Sequence, residues 1–244
     1  MTELLPLVGL VFAAALLYSS VGHAGASGYL AAMALVGVSG AVMKPTALVL
    51  NILVATIASI QFLRAGRFSW AAFWPFAVTS VPLAFVGGAL TLPGNSYRGL
   101  VGVVLLYAAW RLFTEARVAR IPPRDPPLAV ALVLGGVIGL LSGLVGVGGG
   151  IFLSPLLLFM GWAETRDSAG VSALFILLNS IAGIAGHLAS LPMLPPATIL
   201  MAGAAFSGGL IGSTYGARYG APSTLRKLLA VALVIAGAKM LLVR

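Results

Sequence analysis

Residues 144–158 read LVGVGGGIFLSPLLL, an apolar run that four glycines interrupt between positions 146 and 150. Apolar sequence continues on both sides of these glycines, so they do not belong to a surface loop. Within a membrane, non-helical backbone is tolerated only where protein buries it or where it lines a polar cavity. A matching interruption, SSVGHAGASGY, occupies residues 19–29. Paired breaks in the two halves of a membrane chain are typical of a transporter's binding site.

The composition indicates a membrane protein. Of the 244 residues, 60% are hydrophobic and 8% are charged, and the mean hydropathy is +1.10. Soluble domains carry about 25% charged residues. The chain has no cysteine and two histidines, which excludes disulfides, thiolate metal sites and cysteine nucleophiles. The net charge of +9 lies in short loops, where it sets topology and contacts anionic lipid rather than nucleic acid.

Ten apolar segments predict an all-α polytopic membrane protein. They cover residues 4–20, 25–38, 45–63, 70–92, 98–113, 127–145, 150–162, 168–189, 195–217 and 223–242. We expect helix starts at Pro45 and Pro127. The longest charged connection follows the fifth segment and contains Pro122 and Pro123, which a helix does not continue through. We therefore predict a first membrane repeat at 1–113, a cytoplasmic linker at 114–126 and a second membrane repeat at 127–244.

The two halves match when one is shifted along the other. A shift of 124 residues superposes Gly22 on Gly146, Ala24-Gly25-Ala26 on Gly148-Gly149-Gly150, and Gly37 on Gly161. A shift of 128 superposes Asn51 on Asn179, and Arg98 on Arg226. Self-similarity of this kind indicates a duplication.

The number of segments per repeat predicts how the repeats are oriented. Five is an odd number, so the second repeat enters the membrane from the opposite side, as an inverted repeat. With the linker in the cytoplasm, ten of the 14 Lys and Arg residues lie inside. We expect a multi-pass protein of the bacterial inner membrane with both termini outside. The stretches 19–38 and 143–162 are expected to hold broken, half-membrane helices, because their apolar segments make only ~20 Å of helix.

With this duplicated layout, GVGGGIFLSPLL at residues 146–157 resembles the glycine-rich, proline-ended signature of the sulfite exporter TauE/SafE family of bacterial membrane transporters. As architecture, the resemblance covers nearly the whole chain. It implies transport of sulfite or an organosulfonate such as sulfoacetate, directed outward. The first-half string VGHAGASG at residues 21–28 is poorer in glycine, which puts equal contributions of the two half-sites in doubt.

The distribution of charge predicts an anionic or neutral substrate. All five carboxylates lie at the terminus or in predicted loops, whereas cation carriers usually need an acid inside the membrane. Helices that begin at the two breaks would direct unpaired N–H groups and the positive ends of their dipoles at an anion. The alternative is that the glycines only allow close helix packing.

We predict a substrate site formed by the breaks and the matched asparagines. Its residues are Ser20, Gly22, His23, Gly25, Ser27, Asn51, Gly146, Gly148, Gly149, Gly150 and Asn179. The asparagines bond either substrate or the backbone of a broken helix, and serines in membrane helices often bond their own backbone. His23 is either a proton-coupled anion ligand or a surface loop histidine. Lys44 either guides anions into an outer vestibule or snorkels at a helix end.

Two other functions are weighed against a transporter. Residues 25–28, GASG, fit the GxSG string of rhomboid-type intramembrane proteases, with His187 as the partner histidine. That string is short in a chain with 31 glycines, and its serine precedes most segments, unlike the rhomboid order. A passive anion channel is the other alternative. The prediction is a secondary transporter working by alternating access, not an enzyme. Its partners are a small anion and the lipid bilayer, without cofactor, metal or nucleic acid, and a homo-oligomer is left open.

Overall fold

The computed structural model describes residues 4–114, 124–188, 195–218 and 223–242, which fold into ten α-helices without a β-strand. The helices are α1 (Leu4–Ser19), α2 (Ala26–Val36), α3 (Gly40–Arg64), α4 (Trp70–Ala89), α5 (Gly94–Thr114), α6 (Leu128–Val145), α7 (Gly150–Phe159), α8 (Thr165–His187), α9 (Ala197–Arg218) and α10 (Ser223–Leu242). The predicted all-helical class and the ten segments are confirmed. Most of the predicted linker, residues 115–123, lies outside the described residues.

Helix length separates membrane-spanning helices from short ones. Within the described ranges, five helices are long and apolar enough to cross a membrane, namely α3, α4, α6, α8 and α9. By contrast, α2 has 11 residues and α7 has 10. At about 1.5 Å per residue they reach only ~17 and ~15 Å into a core of ~30 Å. Each follows an interruption, since α1 ends at Ser19 and α6 ends at Val145.

Large apolar side chains cover the outside of the bundle. Leu5, Val133, Ile199 and Leu242 are 80%, 66%, 77% and 80% exposed. An exterior of this kind is unfavourable in water and favourable in lipid, where the surrounding chains are equally apolar. The structure therefore agrees with a polytopic membrane protein.

Helix α3 begins five residues before the predicted start at Pro45. Ser39 is the N-cap, and its carbonyl oxygen accepts hydrogen bonds from the N–H groups of Val42 and Met43, both with an N–O distance of 3.0 Å. The first turn is therefore closed before Pro45 is reached. Because a proline removes a single backbone donor, α3 accommodates Pro45 near its start. Pro127 does mark a helix start, as the N-cap of α6.

The helices pack in pairs that repeat between the two halves. Helix α1 packs against α9 and α6 against α4; α3 packs against α9 and α8 against α4; α2 packs against α3 and α7 against α8. In each of these three comparisons, the helices of the second pair are the counterparts, five positions away in helix order, of the helices of the first pair. Helix α3 also packs against its own counterpart α8, and α5 against α10. These pairs agree with the predicted duplication of a five-helix unit, although the contacts of α2 with α1 and α10 have no counterpart of similar extent at α7.

Two glycine stripes allow close helix contacts. The stripes are Gly135, Gly139 and Gly143 on α6, and Gly208, Gly212 and Gly216 on α9. A Cβ atom at Gly139 would stand 2.1 Å from the carbonyl oxygen of Ser80 on α4. A Cβ atom at Gly212 would stand 2.1 Å from the carbonyl oxygen of Leu16 on α1. Membrane helices associate through such small-residue contacts, so these glycines hold α4 and α1 in place beside the breaks.

Candidate functional site

The two breaks share three left-handed glycine positions and differ at a fourth, where Gly148 (φ 75°) is left-handed and its counterpart Ala24 is not. Left-handed φ angles, which favour glycine, occur at matched positions. They are 79° at Gly22, 106° at Gly25 and 82° at Gly37, and 88° at Gly146, 83° at Gly149 and 67° at Gly161. The members of each pair are 124 residues apart, the shift found in the sequence. Helix α2 begins directly after Gly25, and helix α7 begins directly after its counterpart Gly149.

The positive ends of α2 and α7 lie inside the protein. The N-cap residues Gly25 and Gly149 make no side-chain capping hydrogen bond, and the chain is buried from 22 to 30 and from 145 to 151. The first N–H groups of a helix have no partner within it and carry the positive end of the helix dipole. Both helix starts therefore favour negative charge at buried positions.

His23 connects the first break to α7. Its side chain is 7% exposed. Nε2 lies 3.1 Å from the carbonyl oxygen of Gly150 and 3.2 Å from Oγ of Ser154, and Nδ1 lies 3.2 Å from the carbonyl oxygen of Val21. Ser154 Oγ in turn lies 2.5 Å from Oγ of Ser172 on α8. The ring is thus buried between the two breaks rather than exposed on a loop.

The matched asparagines both contact Gly148 in the second break. Nδ2 of Asn179 donates to the carbonyl oxygen of Gly148 over 3.5 Å, and its Oδ1 accepts a 2.9 Å hydrogen bond from Ser80. Nδ2 of Asn51 donates to Ser180 over 3.4 Å. A Cβ atom at Gly148 would stand 3.1 Å from that nitrogen. Both asparagines are fully buried, so α3 and α8 each direct one amide at the same turn of backbone.

Asn51 has an amide atom without a partner. Its Oδ1 is buried and makes no protein hydrogen bond. The oxygen and nitrogen of the Asn51 amide can also be exchanged by a 180° flip of the side chain. Ser180 then donates to the amide oxygen, because a hydroxyl both donates and accepts, and the NH2 group becomes the unpaired one. A buried unpaired polar group is costly. This amide is therefore the strongest candidate for contact with a ligand.

The serines of the first break bond within the protein. Ser20 donates to the carbonyl oxygen of Leu17 over 2.7 Å, and Ser27 donates to the hydroxyl of Tyr18 over 2.7 Å. Both hydroxyls therefore donate to residues of α1. The bond of Ser27 is made to Tyr18 rather than to His187, so the serine–histidine pair of the protease hypothesis is not formed.

The first glycine of each break allows a close helix approach. A Cβ atom at Gly22 would stand 2.2 Å from the carbonyl oxygen of Ala169 on α8, and one at Gly146 would stand 3.1 Å from the carbonyl oxygen of Lys44 on α3. Each break therefore packs against the long helix of the opposite repeat. Gly22 and Gly146 hold the breaks in place, and the polar cluster forms at Gly148–Gly150.

Three serines of the cluster were not predicted. Ser80, Ser172 and Ser180 each bond a predicted asparagine or Ser154. Ser180 directly follows Asn179, and this polar pair within an apolar segment was an available signal. Ser80 directly follows Thr79, which is a weaker signal of the same kind, whereas Ser172 stands between Val171 and Ala173, where nothing in the local sequence distinguishes it from a packing residue.

The cluster offers hydrogen-bond donors and no described carboxylate. Its donors are the amides of Asn51 and Asn179, serine hydroxyls, the His23 ring and the start of α7. The described carboxylates Asp125 and Glu164 are exposed, and Asp167 lies in the first turn of α8. Among the described residues, no three His, Asp or Glu side chains could hold a metal ion together. Such a donor set is suited to an anion.

Comparison with known proteins identifies the family. The family model described as sulfite exporter TauE/SafE matches residues 7–240. A probable membrane transporter protein of Sinorhizobium fredii is 41% identical, over 98% of this chain and 99% of its own length. A probable membrane transporter protein of Methanocaldococcus jannaschii is 26% identical, over 54% of this chain and 50% of its own length. No solved structure matches. Because the family model matches nearly the whole length, and a relative of the same length is 41% identical, this chain belongs to the sulfite exporter TauE/SafE family of membrane transporters.

Proposed function

We propose that the protein is a secondary transporter that moves a small sulfur oxyanion, sulfite or an organosulfonate, out of the cell. The observation that carries this proposal is the contact between the two matched breaks, where His23 reaches Gly150 and the unpaired amide of Asn51 lies at Gly148. Buried helix starts favour an anion through their N–H groups and dipoles. The family description supports the sulfur oxyanion and the outward direction.

For the mechanism, we propose alternating access by two inverted five-helix repeats in the bacterial inner membrane, with both termini outside. The exchange of helix pairs between the halves, such as α1–α9 for α6–α4, supports equivalent repeats. The odd number of helices in each repeat supports opposite orientations. Movement of one repeat against the other would expose the site between the breaks first to the cytoplasm and then to the outside.

We assign proton coupling to His23. Its two ring nitrogens lie 3.2 and 3.1 Å from the carbonyl oxygens of Val21 and Gly150. A neutral imidazole donates from one nitrogen only, whereas an imidazolium donates from both. Protonation therefore strengthens the link between the first break and α7 and adds positive charge beside the anion. The titratable Tyr18 packs on the same ring, with centroids 6.2 Å apart.

Flux into and out of proteoliposomes tests the proposal. Radiolabelled sulfite, sulfoacetate and chloride are compared with and without an imposed pH gradient. We expect saturable flux of a sulfur oxyanion that the gradient accelerates and that chloride does not share. Flux of chloride as well, without saturation or gradient dependence, would make the protein an anion channel. A folded protein that moves neither sulfite nor sulfoacetate would overturn the proposed substrate class.

Two glycine variants test the location of the site. At Gly149, φ is 83°, and a Cβ atom would stand 2.9 Å from Phe175 and 3.0 Å from Ile138. Gly149→Leu is therefore expected to abolish flux. At Gly203, an added Cβ atom meets nothing within 4 Å, so Gly203→Leu is the matched control and keeps wild-type flux. Wild-type flux in Gly149→Leu would move the site away from the breaks.

A further inference from the structure

A cavity of about 330 Å³ lies where α3 and α5 begin and where α4 and α8 end. Its lining includes Lys44 of α3, Arg98 of α5 and His187 of α8, and none of the described residues that line it is a carboxylate. The volume falls in the range of small-molecule sites, about 300–1,000 Å³. We propose that this cavity is an anion-binding vestibule through which a small oxyanion passes to or from the site between the breaks. The inference rests on the proposed function.

Lys44 gives the cavity a fixed positive charge. Its side chain is 5% exposed, and Nζ donates to the carbonyl oxygens of Gly88, Leu90 and Gly87 over 2.9, 3.2 and 3.3 Å. These carbonyls end α4, and the end of a helix dipole carries only about half an elementary charge. No described carboxylate pairs with the ammonium, so positive charge remains, and a bound anion would balance it. Lys44 is thus held inside the protein and does not snorkel to a surface.

The wall of the cavity is continuous with the second break. Tyr97, which lines the cavity, donates a 3.2 Å hydrogen bond to the carbonyl oxygen of Val145, the last residue of α6. Leu144 also lines the cavity. A Cβ atom at Gly146 would stand 3.3 Å from Cγ of Lys44. The chain that closes one side of the cavity therefore leads directly into the polar cluster.

Helix register connects the cavity to the same cluster. Lys44 and Asn51 are seven residues apart on α3, and Ser180 and His187 are seven apart on α8. Seven residues make nearly two turns, so each pair shares a helix face and is separated by ~10.5 Å. Helices α3 and α8 pack together, and Asn51 contacts Ser180. On the adjoining faces of α3 and α8, Lys44 and His187 thus lie about two helix turns from the pair formed by Asn51 and Ser180.

A single cysteine can report the charge of the cavity, because the chain has none of its own. Thr91 lines the cavity and is exposed. The full-length Thr91→Cys protein, purified in detergent, is reacted with anionic methanethiosulfonate ethylsulfonate and with cationic methanethiosulfonate ethyltrimethylammonium. Each rate is divided by the rate of the same reagent with mercaptoethanol. We expect the anionic reagent to be favoured about tenfold or more, the range of electrostatic focusing in a charged cleft.

Second substitutions separate a vestibule from a purely structural role. Adding Arg98→Gln is expected to reduce the preference for the anionic reagent several-fold, and Arg98→Lys, which keeps the charge, to preserve it. Arg64→Gln is the matched control, since it removes an exposed cation at the far end of α3, and it leaves the preference unchanged. Arg98 is chosen over Lys44 because Lys44 also ties α3 to α4.

The outcomes of this experiment do not depend on flux. Equal normalised rates for the two reagents, or a preference that Arg98→Gln leaves unchanged, would overturn the vestibule. Anion-selective labelling that depends on Arg98, in a protein that moves no sulfur oxyanion, would retain the vestibule and refute the proposed function. Sulfur oxyanion flux without anion-selective labelling would retain the proposed function and refute the vestibule.

Discussion

Leucine substitutions at the two matched asparagines are expected to separate substrate binding from stability. Asn51 makes a 3.4 Å bond to Ser180 and leaves an amide atom unpaired, whereas Asn179 accepts a 2.9 Å bond from Ser80 and also donates to Gly148. Leucine is close to asparagine in shape and has no polar atoms. We therefore expect Asn51→Leu to impair transport in a stable protein, and Asn179→Leu to impair both transport and stability.

The hydrogen-bond geometry sets the change in stability. The 3.4 Å bond of Asn51 is longer than the usual 2.7–3.2 Å. Even well-formed side-chain bonds in a membrane average only about 0.6 kcal/mol. Asn51→Leu leaves the buried Ser180 hydroxyl without this donor but also removes the unpaired amide atom, so the two effects offset and the free energy of unfolding should change by less than about 1 kcal/mol. Asn179→Leu leaves the buried Ser80 hydroxyl without its acceptor, which costs about 1–3 kcal/mol. Adding Ser80→Ala removes that hydroxyl and should restore part of the loss without restoring transport.

The effect on binding follows from the charge of the substrate. A hydrogen bond to a charged acceptor contributes about 1.5–3 kcal/mol, and each 1.4 kcal/mol is tenfold. The KM of Asn51→Leu for sulfite or sulfoacetate should therefore rise roughly 10- to 150-fold. Initial rates in proteoliposomes and thermal unfolding in detergent measure the two quantities. A wild-type KM in Asn51→Leu would refute its contact with substrate, and instability equal to that of Asn179→Leu would make Asn51 a structural residue.

Three further predictions concern coupling, packing and topology. His23→Gln keeps a polar side chain but cannot take up a proton, so its flux should no longer respond to a pH gradient; acceleration equal to wild type would remove His23 from coupling. Gly212→Leu brings a Cβ atom to 2.1 Å from the α1 backbone and should lower the free energy of unfolding by about 1–3 kcal/mol, whereas Gly203→Leu on the same helix should not; equal unfolding midpoints would contradict this packing. In intact cells, an impermeant thiol reagent should label Thr91→Cys directly and Ala65→Cys only after permeabilisation, and the opposite order would invert the topology.

The backbone of the candidate site could be predicted because glycine carries its own conformational signal. The matched pairs Gly22 and Gly146, and Gly25 and Gly149, all have left-handed φ angles. The breaks therefore occur where the sequence repeats. Prolines were a weaker signal. Pro127 marks the start of α6, but Pro45 lies inside α3, because the apolar residues after Ser39 can already form a helical turn.

The partners of the polar side chains could not be predicted. His23 and Gly150 are 127 residues apart in the chain, and their contact depends on where the fold places the start of α7 relative to the break between α1 and α2. Ser80 reaches Asn179 only because α4 packs against α8. Such contacts follow from helix packing, and no local spacing encodes them. The glycine stripes that pack α6 on α4 and α9 on α1 are likewise visible in the sequence, but the helices they approach are not.

The scaffold repeats, whereas its chemistry does not. At a shift of 124 residues, His23 corresponds to Val147, and at a shift of 128, Lys44 corresponds to Ser172. In the proposed site, the first break thus supplies an ionisable ring and the second supplies a glycine backbone with two amides directed at it. An anion held there contacts different groups from the two repeats, so movement of one repeat against the other breaks one set of contacts and keeps the other. The two states would then bind the anion with different affinity, which changes how readily it is loaded on one side and released on the other, while the gradients of the anion and of any coupled ion set the direction of net movement.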